Sequence, residues 1–369
     1  MKHDLPLRSF EVKGYRGIRH LVLPRLEKVN LFVGLNNAGK TSLLEAVQLY
    51  ASRTPRTVLA SILRERSGYR PRFSTPRDRD EMSQEQVAAA VESVRSLFHG
   101  AFSGGMGEPI QLGPADGIEE SLTIALPWAT SAQVDDSGGL TDLELFLEPS
   151  SPLVEIRRGS NVTALSLDWF LRRFGVMLTG VSAKTALIPA QGLDATRLGA
   201  LWDEAATAGY ATDVEDALRV VVPELERVYL IGEPGVGGRS INMQLHGVSR
   251  PIPLSSMGDG TNRVFALALS CVRARGGVLL VDEVENGLHH TVQSDVWNFI
   301  FELSGRLNVQ VFATTHSWDA VVGFQEAANR SGSAGILYRL EREQDGTVYA
   351  ETYTEEDVAI AAEQQVEVR

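Results

Sequence analysis

The sequence of 369 residues has little cysteine, little lysine and no long apolar segment. Its single cysteine, Cys271, excludes an internal disulfide framework and is typical of proteins of a reducing cytoplasm. No apolar run approaches the roughly 18 residues of a membrane-spanning helix, and the segment after Met1 lacks the apolar stretch of a signal peptide. We therefore expect a cytoplasmic protein that does not cross a membrane.

The composition is that of a soluble globular protein. A hydrophobic fraction of 43% with 22% charged residues excludes a disordered or fibrous chain, and the length allows one large domain or two lobes. A net charge of -12 argues against a protein whose whole surface binds nucleic acid. Eight arginines between Arg53 and Arg79 are a local exception. This segment could be a solvated loop, or it could bind DNA or an acidic partner protein. Of the two partners we favour the protein.

The first half of the chain contains mainly short strand patterns. Alternation of apolar residues predicts strands at Arg8–Lys13, Leu21–Leu23 and Val29–Val33, and helical spacing follows at Thr41–Tyr50. Residues 53–80, rich in Arg, Pro and Ser, are predicted as a loop. A helix is predicted next, followed by a small antiparallel sheet: the helix over Gln84–Phe98, and strands at Ser121–Leu126, Leu143–Leu147, Val154–Arg157 and Val162–Leu167.

The second half alternates helices and strands. Tyr229–Ile231 and Ser240–Leu245 flank a glycine cluster without the Gly-Lys-Ser/Thr ending of a phosphate loop, which predicts a hairpin. The C-terminal third predicts a mostly parallel sheet covered by helices. The predicted strands here are Ala186–Ala190, Gly277–Val281, Val309–Ala313 and Ile336–Leu340, and the predicted helices are Ala195–Ala208, Val214–Val222, Thr261–Arg273, Thr291–Glu302 and Trp318–Ala328.

A glycine-rich segment between a predicted strand and a predicted helix fits the phosphate-loop pattern G-x-x-x-x-G-K-[ST]. In this context backbone N–H groups and the helix N-terminus bind phosphate. Lys40, one of few lysines, would neutralise the β- and γ-phosphates, and the Thr41 hydroxyl would coordinate Mg²⁺. The candidate nucleotide-binding residues are Gly34, Asn36, Asn37, Ala38, Gly39, Lys40, Thr41 and Ser42.

Two later strands end in residues suited to the same chemistry. The apolar strand Gly277–Val281 is followed by Asp282, which would hold Mg²⁺, and by Glu283, which would polarise the attacking water. The strand Val309–Ala313 leads to His316, whose imidazole could bond the γ-phosphate or that water. Strand ends of an open α/β sheet meet at one edge, so the sequence predicts catalytic roles for Lys40, Glu283 and His316.

These segments resemble the ABC-type ATPases of the RecF, SMC and OLD class, and the nearest match is to stand-alone OLD-like ATPases. Residues 34–42, 254–263, 279–290 and 311–318 carry the resemblance, together with Val12–Arg19. The resemblance covers roughly residues 8–50 and 186–340. It implies ATP and Mg²⁺ as ligands.

The resemblance also implies roles for residues outside the phosphate loop. Leu254–Arg263 occupies the signature position at a helix start, which in this class touches the γ-phosphate bound to the other subunit. Ser256 or Ser255 would supply the hydroxyl, with Gly258 and Gly260 beside it. Gln191 resembles the glutamine that senses the metal and the attacking water.

The expected fold is an ABC-type P-loop ATPase: a mostly parallel, RecA-like α/β sheet covered by helices, with an antiparallel β subdomain and helical insertions. We expect a single domain in two lobes, with the following division. Residues 1–52 and 108–192 form an N-terminal lobe with the phosphate loop and antiparallel sheet, 53–107 an Arg-rich loop and helical insertion, 193–260 a helical signature lobe, and 261–369 a C-terminal lobe with Asp282, Glu283 and His316.

The function implied is Mg²⁺-dependent ATP hydrolysis by a nucleotide-driven homodimer, or a higher oligomer, that controls a separately encoded effector in anti-phage defence. One alternative is a DNA-binding, RecF-like repair ATPase, since DNA remains a possible partner. Another is a non-hydrolysing, nucleotide-dependent interaction module, against which Glu283 argues. A nuclease of the full-length OLD type is disfavoured because about 50 residues follow His316, too few for a Toprim domain. SMC-like arms are excluded by the lack of a long heptad run.

Overall fold

The computed structural model describes residues 5–52, 54–67, 91–101, 107–117, 120–127, 153–166, 184–232, 239–331 and 335–353. The strands are β1 Phe10–Tyr15, β2 Ile18–Leu23, β3 Val29–Val33, β4 Ile110–Gly113, β5 Leu122–Ala125, β6 Leu153–Arg158, β7 Asn161–Ser166, β8 Thr185–Ile188, β9 Leu225–Gly232, β10 Arg239–Leu245, β11 Ile252–Pro253, β12 Val278–Val281, β13 Gln310–Thr314, β14 Gly335–Arg342 and β15 Val348–Tyr353. The helices are α1 Lys40–Ala51, α2 Pro55–Ser67, α3 Ala195–Thr207, α4 Ala211–Leu218, α5 Asp259–Arg273, α6 Gln293–Leu307 and α7 Trp318–Ser331. Within these ranges no helix is long and apolar enough to span a membrane.

A six-stranded sheet with the order β15-β14-β3-β13-β12-β8 forms the centre of the fold. Its strands pair in parallel except for the antiparallel hairpin of β14 and β15. The mostly parallel, helix-covered α/β sheet expected from the sequence is therefore confirmed. The sequence did not predict β15, the edge strand that follows β14.

The central strands are buried on both faces, as parallel strands covered by helices must be. Side chains alternate between the faces, so successive residues of one strand join different cores. Leu31 packs with Leu279 and Val311 on the face that carries α5 and α6. Phe32, next in β3, stacks on Phe312 with ring centroids 6.3 Å apart, on the face that carries α1. The two hydrophobic cores thus meet along β3.

Two antiparallel sheets flank this centre. One has the order β2-β1-β4-β5-β6-β7 and packs into the same core as α1, and its strands confirm those predicted over 121–126, 154–157 and 162–167. The other, β11-β10-β9, contains the predicted hairpin, with Gly232 paired to Arg239. The strand predicted at Leu143–Leu147 and the glycine-rich turn of the hairpin lie outside the described residues.

The prediction of a loop over residues 53–80 is wrong for Pro55–Ser67, which forms α2. Pro55 is compatible with the first turn of a helix because its missing N–H would have no helical partner there. The apolar side chains then recur on one face and are buried against the N-terminal core: Val58, Leu59, Ile62 and Leu63. Burial of this face outweighs the Arg and Ser content that suggested a loop. Residues 68–90 lie outside the described part of the chain, and of the helix predicted over Gln84–Phe98 residues 91–95 are helical.

Helix α5 lies at the centre of the second core. It contains buried residues over most of its length, and α3, α4 and α6 pack around it. Cys271 on this helix is fully buried, and burial raises the pKa of its thiol to about 12. The side chain is a core residue in the neutral thiol form.

Candidate functional site

The carboxyl ends of four parallel strands meet at one edge of the central sheet. Phe32 pairs with Thr314, Ala313 with Val281, and Val281 with Ile188. The residues that follow these strands therefore emerge side by side: the phosphate loop after β3, His316 after β13, Asp282 after β12 and Gln191 after β8. This is the edge at which ligands bind in open α/β sheets.

The phosphate loop bends tightly between β3 and α1. Asn37 and Gly39 have positive φ angles of 69° and 99°, and Gly34 has a φ of 145°. A Cβ on Gly34 would lie 2.5 Å from the carbonyl oxygen of Leu340 in β14. Only glycine lets the loop pass so close to the neighbouring strand, which explains the first glycine of the motif.

Lys40 is buried at the start of α1 and points back into the loop. Its Nζ donates hydrogen bonds to the carbonyl oxygens of Gly34, at 2.5 Å, and Leu35, at 3.1 Å. Burial lowers the pKa of the Lys40 ammonium, and the nearby carboxylates of Asp282 and Glu283 partly counter this. The loop therefore surrounds a cation, as an anion-binding cradle requires.

Asp282 links the phosphate loop to the adjacent strands. Its Oδ2 accepts a hydrogen bond from the Thr41 hydroxyl at 3.0 Å, and its Oδ1 accepts one from the Thr314 hydroxyl at 2.6 Å. Thr314 Oγ1 also accepts the backbone N–H of Glu283 at 2.9 Å. A hydroxyl and a carboxylate at this distance are the hard oxygen ligands that Mg²⁺ takes beside phosphate and water. Sequence reasoning missed Thr314, which fixes the orientation of this carboxylate.

Glu283 follows in an uncommon backbone conformation, with a φ of 49°. A non-glycine residue with positive φ costs energy, and such strain is concentrated at functional sites. Asn286 holds the side chain, since its Nδ2 donates to Glu283 Oε2 at 2.6 Å and to the carbonyl of Ala190 at 3.1 Å. The side chain of Glu283 is 34% exposed and so can reach a ligand.

His316 lies between two carboxylates. Its backbone N–H donates to Glu285 Oε1 at 2.9 Å, and its Nδ1 lies 3.1 Å from the same oxygen. The distance from Nδ1 to Glu283 Oε1 is 3.8 Å. Glu285, which the sequence analysis did not single out, has a side chain only 9% exposed, and its contact with Nδ1 orients the ring. Both contacts of the ring involve Nδ1, and within the described part of the chain no hydrogen bond involves Nε2.

Arg263 connects α5 to the end of β12. It is buried, and its guanidinium donates to the carbonyl oxygens of Pro189 at 3.0 Å, Asp282 at 2.5 Å and Glu283 at 2.7 Å. Burial lowers the pKa of this side chain to about 10, against the opposing effect of neighbouring carboxylates led by Glu285. Arg263 lay inside the predicted signature segment, but its polar role could be seen only in the folded chain.

A cavity of about 270 Å³ opens between the phosphate loop and the end of β12. It brings together most of the predicted phosphate-loop residues, the predicted metal ligands Thr41 and Asp282, and Glu283. Gly34, Ala38 and His316 are not part of its described lining. Its described lining is Arg16, Gly17, Asn36, Asn37, Gly39, Lys40, Thr41, Ser42, Asp282, Glu283 and Arg342. Arg16, Gly17 and Arg342 are additions that the motif alone did not indicate.

The signature residues and Gln191 lie elsewhere. Gln191 is exposed in a neighbouring cavity of about 360 Å³, together with Asp259, Asn262 and Gly287. Ser256 and Gly258 are exposed before and at the N-terminus of α5, and Gly260 packs against Gly287. Among the described residues, none of these four predicted ligands lines the phosphate cavity of its own chain. Their roles remain predictions.

Two family models match the chain at the segments that form this edge of the sheet. Residues 181–323 match a model described as "AAA domain, putative AbiEii toxin, Type IV TA system". Residues 5–57, with the phosphate loop, match a "Protein of unknown function (DUF2813)". The AAA match contains the strands that present Asp282, Glu283 and His316 beside the phosphate loop. Over residues 181–323 the chain is thus similar to an AAA domain.

Two proteins similar to this chain come from Methanocaldococcus jannaschii. The uncharacterized protein MJECL10 is 44% identical over 46 residues, which are 12% of this chain and 21% of that protein. The uncharacterized protein MJECL11 is 30% identical over 93 residues, or 25% of this chain and 81% of that protein. The chain thus matches about a fifth of the length of MJECL10 and most of MJECL11.

A solved structure, the "SmcHead bound to the C-winged helix domain of ScpA", is also similar to this chain. The TM-score is 0.48 and the sequence identity 14%, and the alignment covers 94% of this chain and 98% of that chain.

Proposed function

We propose that this protein binds ATP with Mg²⁺ and hydrolyses the ATP. The observation that carries the proposal is the hydrogen bond of 3.0 Å between the Thr41 hydroxyl and the Asp282 carboxylate, beside the Lys40 ammonium. Lys40 would neutralise phosphate oxygens, and backbone N–H groups of the loop would bind the rest. Thr41 and Asp282 would hold Mg²⁺, which when bound neutralises charge on the β- and γ-phosphates.

Glu283 is suited to accept a proton from the attacking water. Its carboxylate lies at the wall of the phosphate cavity, and Asn286 fixes one oxygen so that the other faces His316. His316 would orient the water or bond the γ-phosphate through Nε2, with Glu285 holding the ring. Gln191 is proposed as a further metal or water ligand, supported by its position directly after β8 at the same sheet edge.

The test of hydrolysis is phosphate release by Glu283→Gln. The amide keeps the size of the side chain but cannot accept the proton, so turnover should fall by at least about a hundredfold while MgATP binding is retained. Glu326→Gln, on the exposed side of α7, removes a carboxylate far from the cavity and serves as the matched control. Equal turnover of the two variants would exclude Glu283 as the base.

We further propose that ATP joins two copies of the chain. Ser256, Gly258 and Gly260 precede or begin α5, whose N-terminus carries positive potential suited to phosphate, yet they do not line the cavity of their own chain. In a symmetric dimer they would reach the γ-phosphate held by the partner. Each site would then be complete only in the assembled pair.

The dimer is proposed to act as a switch on a separately encoded effector in anti-phage defence. The support is the resemblance to stand-alone OLD-like ATPases and the toxin–antitoxin description of the matching AAA model. Co-purification with proteins encoded by neighbouring genes, in ATP and in ADP, tests this role. An effector that binds equally in both nucleotides, or no neighbour that binds at all, would contradict it.

A further inference from the structure

Arg342 lies beside the phosphate loop although it is distant from it in sequence. It is the last residue of β14, which pairs in parallel with β3 in a register that aligns Arg339 with Val33. Since β3 ends at Val33, the next three residues of β14 run alongside the phosphate loop on this side, while on the other side they pair with β15. The register of the sheet therefore delivers Arg342 to the nucleotide cavity.

The guanidinium of Arg342 fits against two parts of the cavity wall. Its Nη1 donates to Asn37 Oδ1 in the phosphate loop at 3.4 Å. Its plane rests on Gly17 in the β1–β2 turn, where an added Cβ would lie 2.8 Å from Nη1. Any larger residue at position 17 would displace the guanidinium, so the turn leaves space for this cation.

Arg342 differs from Arg16, the other arginine in the described cavity lining, which pairs with a carboxylate. Arg16 Nη1 lies 2.9 Å from the carboxylate of Glu45, and Lys40 is bonded to carbonyls of its own loop. Within the described ranges, no carboxylate lies within ion-pair distance of Arg342. Its side chain is exposed and lines both the phosphate cavity and an outer groove of about 540 Å³ along β14. It is a positive charge left unneutralised by the fold at the mouth of an anion site.

We propose that Arg342 binds a phosphate group of the nucleotide in this cavity, as a phosphate ligand outside the phosphate-loop motif. The proposal rests on the proposed ATP binding. A guanidinium donates several N–H groups in one plane and suits phosphate oxygens better than an ammonium. Arg342 is exposed in the free protein, so its side chain loses conformational entropy when it binds the phosphate. This loss limits the gain in affinity.

The experiment measures the dissociation constant of MgATP by fluorescence titration for wild type, Arg342→Gln, Arg342→Lys and Arg19→Gln. Arg19 is an exposed arginine on β2 that pairs with Asp345 at 3.2 Å and does not line the cavity, so its replacement removes the same charge. Melting curves of all four proteins check that they fold. Each titration is repeated at low and high salt, because an exposed ion pair is screened by salt.

We expect Arg342→Gln to weaken MgATP binding about tenfold at low salt, with a smaller loss for Arg342→Lys. High salt should narrow the difference, and Arg19→Gln should bind like wild type. Equal affinities of Arg342→Gln and wild type, or equal losses in Arg342→Gln and Arg19→Gln, would overturn the role of Arg342 while ATP binding stands. Failure of the folded wild type to bind MgATP would overturn the proposed function and this inference together.

Discussion

Among the described residues no carboxylate lies within hydrogen-bonding reach of Lys40, and its ammonium is held by carbonyl groups. Carbonyl oxygens carry only partial charges, so the ammonium keeps most of its attraction for an incoming anion. Burial strengthens that attraction further, because the effective dielectric constant falls below that of water. The bonds to Gly34 and Leu35 thus hold the side chain in the loop without cancelling its charge.

Lys40→Ala should weaken MgATP binding by at least about a hundredfold, because the phosphates lose a buried charge-assisted bond. Lys28→Ala is the matched control. Lys28 is also a buried lysine, but it precedes β3 at the opposite end and donates to Asn308 Oδ1. Calorimetric titration of both variants measures the difference. Tight MgATP binding by Lys40→Ala would mean that the nucleotide does not use this loop.

The individual site residues differ in how far the sequence reveals them. Lys40, Asp282 and Glu283 are predictable because each follows or begins an element at a fixed motif position. Thr314 and Glu285 are harder to find, because their roles consist of hydrogen bonds to Asp282 and His316 from another strand or loop. Arg342 gives no local signal, since only the pairing register of β14 brings it to the cavity.

Helix α5 and strand β12 are joined by one buried side chain. Arg263 supplies hydrogen bonds to the carbonyls of Pro189, Asp282 and Glu283, all at the sheet edge that carries the proposed site. The last of these belongs to the residue with the strained φ angle. The helix that begins with the signature segment is therefore tied to the backbone of the proposed base.

Arg263→Met should lower the free energy of unfolding by roughly 3 kcal/mol, because three buried carbonyl groups lose their donor. Urea denaturation measures this change, and phosphate release should fall as Glu283 loses its support. Arg273→Met, at the other end of α5, is the control. Of the residues that the structure describes, the half-exposed Glu204 is the one that pairs with Arg273, so the loss of Arg273 should cost less than about 1 kcal/mol. Equal destabilisation by both changes would show that Arg263 has no special role.

Secondary structure was predictable where the spacing of apolar residues and the polar or glycine residues at the ends of a segment indicate the same element. Strands β3, β12 and β13 are short apolar runs that end in polar motif residues, and the sequence identifies all three. Helix α2 was missed because its arginines, serine and proline are typical of a loop, whereas its stability comes from a buried apolar face. Strand β15 was missed because most of its residues are exposed or half-buried, so that it lacks an apolar pattern. Its strand conformation comes from pairing with β14.

The exposed position of the signature residues bears on the assembly of the protein. Wild type should double in mass with ATP only transiently, and Glu283→Gln should remain dimeric in MgATP, because slow hydrolysis keeps the shared phosphate in place. Nucleotide can shift this equilibrium only through contacts that exist in the dimer. Light scattering in ATP, in ADP and without nucleotide measures the mass.

Ser256→Glu, combined with Glu283→Gln, should stay monomeric, since the added carboxylate would repel the phosphate bound to the partner. Ser256 is exposed, so the change should leave folding intact. A fully active monomer, or a mass independent of nucleotide, would contradict the proposed dimer.

The position of β3 between two cores limits how the chain can tolerate changes in side-chain size. Leu31 belongs to one core and Phe32 to the other, and both are fully buried. A larger residue at either position would push the strand toward the opposite core, which is close-packed and resists compression. The strand cannot relieve crowding on one face without creating it on the other. The position of the phosphate loop at the end of β3 is therefore fixed by both cores.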